Sequence, residues 1–443
     1  LGADFFATDG LAPSAFIRVT LVSDLFATVF TCFSQFKSLL LCRLSSQVYC
    51  TSVKCASGVT ISDRIMMVFA SFVCLLTGLW IGARIVWALN RYAYRPISVH
   101  DSPLPSVSVC IAARNEVHAL AQCLDYVLTS GYEKLEILVL DDSSNDETSR
   151  IIQSYAHAGV RFIPGKDLPS GWLGKNHAYQ TLAEEASGDY ILYLDVDTLL
   201  AQSAIQQLVQ QIVANDKDML SVLPRREDAL RASAIFSTLR YVWELVLATR
   251  SNPPSASALW LIRRDTLLQM ERGLSDYGMS VRPERHLAKQ LQYNKKYYHI
   301  VGTKKLGVRY EKHWHSHLAT AERLYYPMFG HRYVSIVLGL ITMFSVAAPP
   351  IIFIVSLLNH KPVAATVALS ALVVDYVWFG IFTGRTMASR GWIARMIVWP
   401  YIALQELALY LDSCTRYATG TVRWKGRAIH AQPLQRDHYV INE

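Results

Sequence analysis

The run Tyr190-Ile191-Leu192-Tyr193-Leu194-Asp195-Val196-Asp197-Thr198 decides how the rest of the chain is read. Its first five residues are apolar or aromatic, and Ser187-Gly188-Asp189 just upstream is a turn signal, so the run reads as a short buried strand. At the exit of such a strand Asp195 and Asp197 share side-chain parity and converge on one point outside the sheet. Two hard oxygen donors at a strand's carboxyl end suit a divalent ion carrying a diphosphate. Taken alone, the stretch is read equally well as a solvated turn.

Outward from this strand the pattern alternates. Strands are expected at Val107–Ala112, Leu135–Leu140 and Val160–Ile163, and helices at Val117–Leu128, Glu147–Ala156 and Asn176–Glu185. Such alternation predicts an α/β domain, a mostly parallel sheet with helices on both faces. Ligands collect at the carboxyl ends of the strands in open sheets of this kind. The charged residues fall there: Arg114, Asn115 and Glu116 after the first strand, Asp141 and Asp142 after the second, Asp195 and Asp197 after the fourth.

The 443 residues are 52% hydrophobic and only 18% charged, which points to membrane segments. The net charge of +8 fits anionic lipid and anionic substrates. No zinc finger, basic helix or RNA-binding aromatic motif appears, so nucleic acid is not an expected partner. Eight cysteines include no Cys-x-x-Cys pair and read as reduced, structural thiols. The chain opens on Leu1, which leaves it either a fragment or without its true start.

Residues 1–60 form an N-terminal extension with no assigned role. Residues 61–95 contain a spanning helix, Ile65–Leu89, followed by Arg91 and Arg95, so its C-terminal side is expected in the cytoplasm. Beyond a domain at 100–310, residues 311–332 are expected as an interfacial amphipathic segment. His313 and His317 lie there one helical turn apart, but no third metal ligand is evident. Residues 333–382 are expected as a two-helix transmembrane hairpin, kinked at Pro349-Pro350. Basic residues flank 391–412 on both sides, favouring an interfacial or re-entrant helix before a basic cytoplasmic tail at 413–443.

Five motifs in order resemble family 2 glycosyltransferases of the membrane-attached, GT-A-fold kind, nearest to those that glycosylate carotenoids, hopanoid-associated lipids and ceramide. They are Val109–Glu116, Val139–Asp146, Gly171–Ala178, Asp195-Val196-Asp197 and Val422–Arg427. The resemblance implies that Ala112, Arg114, Glu116 and Asp142 hold the nucleotide, Lys175 faces the diphosphate and Asp195 touches the nucleotide-sugar. It implies Asp197 as ligand of Mg²⁺ or Mn²⁺, and Glu284 as general base in Val281–Leu291. The family usually has an acidic residue beside that base, where this chain has Pro283. A Glu stabilised at a helix N-terminus is the alternative reading of Glu284.

The expected function is therefore a metal-dependent, inverting transfer of a sugar from a nucleoside-diphosphate donor, a UDP-sugar first, to a membrane lipid or lipid-linked hydroxyl. The expected place is the cytoplasmic (inner) membrane, multi-pass, with the catalytic domain facing the cytoplasm. A processive polysaccharide synthase and a non-catalytic nucleotide-sugar-binding membrane protein are the alternatives.

Overall fold

The computed structural model describes residues 61–97, 104–227, 232–236, 239–311, 314–330, 333–424 and 427–429. The chain divides into two units, Leu1–Met67 and Val68–Glu443. The N-terminal extension, with Cys32, Cys42, Cys50 and Cys55, lies outside the described residues, as does His313.

Helix α1 spans Ile61–Arg91. An alternating region follows: β1 (Val107–Ala113), α2 (Leu120–Leu128), β2 (Leu135–Asp141), α3 (Thr148–Ser154), β3 (Val160–Pro164), α4 (Gly174–Glu185) and β4 (Tyr190–Leu194). Then come β5 (Thr198–Leu200), α5 (Ala204–Ala214), β6 (Met219–Leu223), β7 (Arg225–Arg226), α6 (Ala232–Phe236), α7 (Arg240–Val246) and β8 (Leu259–Arg263). The domain closes with α8 (Arg264–Gln269), α9 (Pro283–Tyr293), β9 (Tyr297–Val301) and β10 (Val308–Tyr310).

Seven strands make one sheet in the order β3-β2-β1-β4-β8-β6-β9. The first four are parallel, with Val107 opposite Leu135 on one side and Tyr190 on the other. β8 runs antiparallel to both β4 and β6, so the sheet is mostly parallel with one reversed strand. Its central strands β1, β4 and β6 are buried on both faces, as expected of strands covered by helices. Val107, Val109 and Ile111 pack with α2 and α5, while Cys110, Leu138 and Leu140 face α4 and α9. A small second sheet, β5-β10-β7, flanks the exit of β4.

After the domain the chain is helical: α10 (Trp314–Phe329), α11 (Tyr333–Ala347), α12 (Pro349–Leu358), α13 (Pro362–Thr386), α14 (Trp392–Ile397) and α15 (Trp399–Ala418). A two-stranded hairpin, β11 (Arg423–Trp424) and β12 (Arg427–Ala428), ends the described chain. Among the described residues, Ile65–Arg91 and Pro362–Thr386 are single helices long and apolar enough to cross a membrane. The 334–358 stretch, expected as one kinked span, is divided into α11 and α12. Pro349 and Pro350 carry no N–H, so two successive helical hydrogen bonds are missing there. The 391–412 stretch is likewise divided, with Pro400 in the first turn of α15.

Helix α10, expected at the interface, is wedged between the sheet domain and α15. Its Tyr326 N–H donates to Ser413 Oγ at 3.0 Å, and the Tyr417 hydroxyl donates to Arg323 O at 2.8 Å. The cysteines described, Cys74, Cys110, Cys123 and Cys414, are free thiols, the first three buried.

Candidate active site

The carboxyl ends of β1, β2 and β4 open on one cavity of about 710 Å³. Every nucleotide- and metal-directed residue expected from the sequence lines it: Ala112, Arg114, Glu116, Asp142, Lys175, Asp195 and Asp197.

Two strand-end loops are cross-braced at its floor. Asn115 and Ser143 both adopt left-handed backbone, with φ of 53° and 55°. Such residues concentrate at functional turns. The Asn115 N–H donates to Ser144 Oγ at 2.9 Å, and Asn115 Oδ1 accepts the Asn145 N–H at 2.9 Å. Asp146 accepts the Thr148 N–H at 3.0 Å just ahead of α3. The neighbouring aspartates divide labour. Asp141 is consumed by the loop, accepting from Ser144 and Ser149, whereas Asp142 faces the cavity.

Helix α4 begins at the cavity wall with no side-chain cap, so its N-terminal dipole faces the space. Lys175, in its first turn, is ion-paired with Asp195, which also accepts from the Tyr179 hydroxyl at 3.4 Å. Burial alone would lower the Lys175 pKa, but the Asp195 carboxylate outweighs it and holds the ammonium firmly charged. Asn176 donates to Gly278 O at 2.8 Å and to Ser280 O at 2.7 Å, tying α4 to the loop that leads into α9.

That loop delivers Glu284, in the first turn of α9 and only 1% exposed. It does not line the large cavity. It borders a side pocket of about 10 Å³, roughly one water's room, which shares Lys175, Arg323 and Trp424 with the cavity. Arg282 Nε lies 3.4 Å from Glu284 Oε1, while the buried Oε2 has no hydrogen-bond partner among the described residues. Burial raises the Glu284 pKa in spite of Arg282. Burial of this kind raises the proton affinity of a carboxylate.

The far wall is one that sequence reading did not resolve. Ser316, Ala319, Thr320 and Arg323 face the cavity from α10, at the spacing of a single helix face. The terminal hairpin closes over it, with the Arg323 guanidinium 4.3 Å from the centroid of the Trp424 ring. Arg427 reaches across to donate to Asp142 Oδ2 at 2.8 Å. Gly174 admits that pair, because a Cβ there would stand 2.0 Å from Arg427 Nη1 and 2.4 Å from Asp142 Oδ2. Nothing local in the 423–427 sequence names Asp142 as the partner of Arg427. Lys425 lies outside the described residues.

The donor set fits a hard divalent ion of the Mg²⁺ or Mn²⁺ kind. Asp195 and Asp197 share the cavity wall, and Asp195 is ion-paired with Lys175. No group of three or more His, Cys, Asp or Glu side chains with metal-site geometry occurs among the described residues. One or two carboxylates completed by phosphate oxygens and water is the usual Mg²⁺ arrangement.

Residues 108–245 match the family described as glycosyl transferase family 2. The matched segment runs from β1 past β7 and holds every cavity residue from Ala112 to Asp197. More particularly, the chain is similar to 4,4'-diaponeurosporenoate glycosyltransferase of Staphylococcus aureus. It is 31% identical to the protein of strain bovine RF122 / ET3-1 over 121 residues, 27% of this chain and 32% of the relative. The protein of strain USA300 is 30% identical over the same length. The match thus spans about a third of these relatives. Among solved structures, mannosyltransferase PcManGT from Pyrobaculum calidifontis, in complex with GDP-Man and Mn²⁺, has a TM-score of 0.49 and 16% identity, covering 80% of this chain and 98% of its own. S. aureus TarS 1-349 in complex with UDP-GlcNAc has a TM-score of 0.36 and 15% identity, covering 74% and 99%.

Proposed function

We propose that the protein is a membrane-bound, metal-dependent, inverting glycosyltransferase. It moves a sugar from a nucleoside-diphosphate donor, a UDP-sugar first, to the hydroxyl of a lipid or lipid-linked acceptor. One observation carries the reading: a single cavity joins the strand-end carboxylates, Lys175 and the open α4 terminus to a wall built from α10 and the terminal hairpin. The first half suits a nucleoside diphosphate. The second half is anchored on α15 and delivers an acceptor from the membrane side.

In this reading Ala112, Arg114, Glu116 and Asp142 seat the base and ribose. Lys175 and the α4 amides receive the diphosphate, and Asp195 orients Lys175 and the sugar. Asp197 holds the metal, which when bound neutralises charge on the departing diphosphate. Glu284 takes the proton of the acceptor hydroxyl as its oxygen bonds to the anomeric carbon. The bond from that carbon to the diphosphate oxygen breaks on the opposite face, giving inversion.

Exposed Phe69, Leu76 and Leu79 on α1 and Val373, Val377 and Ile381 on α13 present lipid-facing stripes. Ile393, Ile397 and Tyr401 are exposed at four-residue spacing, the pattern of helices lying in the interface. Arg84, Arg91, Arg385, Arg390 and Arg416 lie within or beside these segments, which supports a catalytic domain on the cytoplasmic face. The curated relative's name specifies 4,4'-diaponeurosporenoate, and an acceptor of that apolar kind suits the same geometry.

The test is a panel of UDP-glucose, UDP-GlcNAc and GDP-mannose with Mn²⁺ and a total membrane lipid extract, read by mass spectrometry. Sugar transfer is expected with at least one donor. Asp197→Ala is expected to lower it by about 10³-fold or more with an unchanged melting temperature. Metal-dependent transfer surviving in that variant would sink the assignment, and nucleotide binding with no turnover would leave a binding protein.

A further inference from the structure

Pro283 stands where an acidic neighbour of the base is expected, yet Glu284 does not lack a carboxylate nearby. Glu244, on α7 and 38 residues before Arg282 in sequence, is 6% exposed and Arg282 is 7% exposed. Arg282 Nη1 donates to Glu244 Oε2 at 2.6 Å, and its Nη2 donates to Ser255 O at 2.8 Å and to Ser255 Oγ at 2.9 Å. The other Glu244 oxygen accepts the Ser255 N–H at 2.9 Å. The guanidinium is thereby locked, with its Nε against Glu284 Oε1 at 3.4 Å.

We infer that Glu244 is a positioning residue for the base: it neutralises and fixes Arg282, so that Arg282 orients Glu284 without capturing its charge. The inference rests on Glu284 being the base. An unopposed guanidinium would hold Glu284 ionised and weakly basic, whereas one already paired in the buried network leaves the carboxylate able to accept a proton. Glu244 itself stays ionised, for burial is overcome by Arg282 and Arg285 and its pKa falls to about 2. The charged and titratable groups around Glu284 are Arg282 and Arg285, Lys175 and Tyr179 of α4, Glu244 of α7, Tyr297 of β9 and Arg323 of α10. Among these, Glu244 is the carboxylate that acts to raise Glu284.

The experiment compares wild type, Glu284→Gln, Glu244→Gln and Ser255→Ala. It uses the best donor of the panel, Mn²⁺ and the lipid extract, and reads kcat and donor KM against pH. Glu284→Gln is expected to lose at least about a hundredfold in kcat. Glu244→Gln is expected to move the acid limb of kcat about one pH unit lower, with a several-fold lower plateau and unchanged donor KM. Full activity in Glu284→Gln defeats the base reading itself, whatever the other variants show. An inactive Glu284→Gln beside a Glu244→Gln with the wild-type acid limb overturns the positioning role alone. Should Glu244→Gln not fold, Ser255→Ala, which keeps the carbonyl and drops one bond to Arg282, decides. A lower kcat at unchanged donor KM supports the role, and wild-type kcat overturns it.

Discussion

Glu284 and Asp197 are both carboxylates near one cavity, and their surroundings set them apart. Asp197 sits in a turn at the cavity wall beside Asp195, the place proposed for a hard divalent ion. Glu284 is enclosed, and burial raises its pKa above the ordinary 4.5. The sign of the linked stability follows. A carboxyl whose folded pKa exceeds its unfolded one favours the folded state below about 4.5, and loses that contribution as pH rises through the folded value. Glu284→Gln is therefore expected to melt higher than wild type at pH 8 and level with it near pH 4, while losing transfer. A melting curve at the two pH values checks this, and a lower melting point at pH 8 contradicts it. Glu244 has the opposite sign: its contribution is present above about 4.5 and disappears as pH falls towards about 2.

At the scale of elements, the seam between α1 and α13 is held by small residues. A Cβ on Gly78 would stand 2.8 Å from Asp375 Oδ1, and one on Gly82 would be 3.4 Å from Trp378 Cβ. Trp378 in turn donates its indole N–H to Asp375 Oδ1 at 2.9 Å. Close backbone approach through small residues is the usual way helices pack in lipid. Gly78→Leu drives a side chain into buried Asp375 and is expected to cost about 1–3 kcal/mol by overpacking. A lower melting temperature in detergent, with Gly384→Leu as a control at a position with open space, checks it. Equal melting of the two variants would show that the seam is not tight.

At the scale of the molecule, the last described residues complete the first strands' site. Val422 and Ile429 pack with Leu173, which anchors the hairpin beside the start of α4 and carries Trp424 and Arg427 to the cavity. Removing residues 419–443 is expected to reduce transfer by about a hundredfold or more, because a misplaced wall costs positioning. The sheet domain has its own cores on both faces and is expected to keep its melting transition. Nearly full transfer in the truncated protein would remove the hairpin from the working site.

What the sequence by itself determined was local. Period-2 and period-3.6 patterns placed β1 to β4 and their helices within a few residues, and the strand-end charges pointed to one side of the sheet. The Asp195-Val196-Asp197 turn, Asp142 and Lys175 were legible because the first two directly follow strands and Lys175 opens a helix, so an element boundary defines each position. Glu244, Asn176, Arg323 and the Arg427–Asp142 contact were not, since their partners lie 38, 102, 101 and 285 residues away. The reversed β8 was not legible either, as strand direction is set by pairing rather than by composition. Only the tertiary structure decided that a distant carboxylate, Glu244, pairs with Arg282 and that the tail reaches the cavity. Both depend on how buried charges find partners, and that choice is made across the fold rather than along the chain.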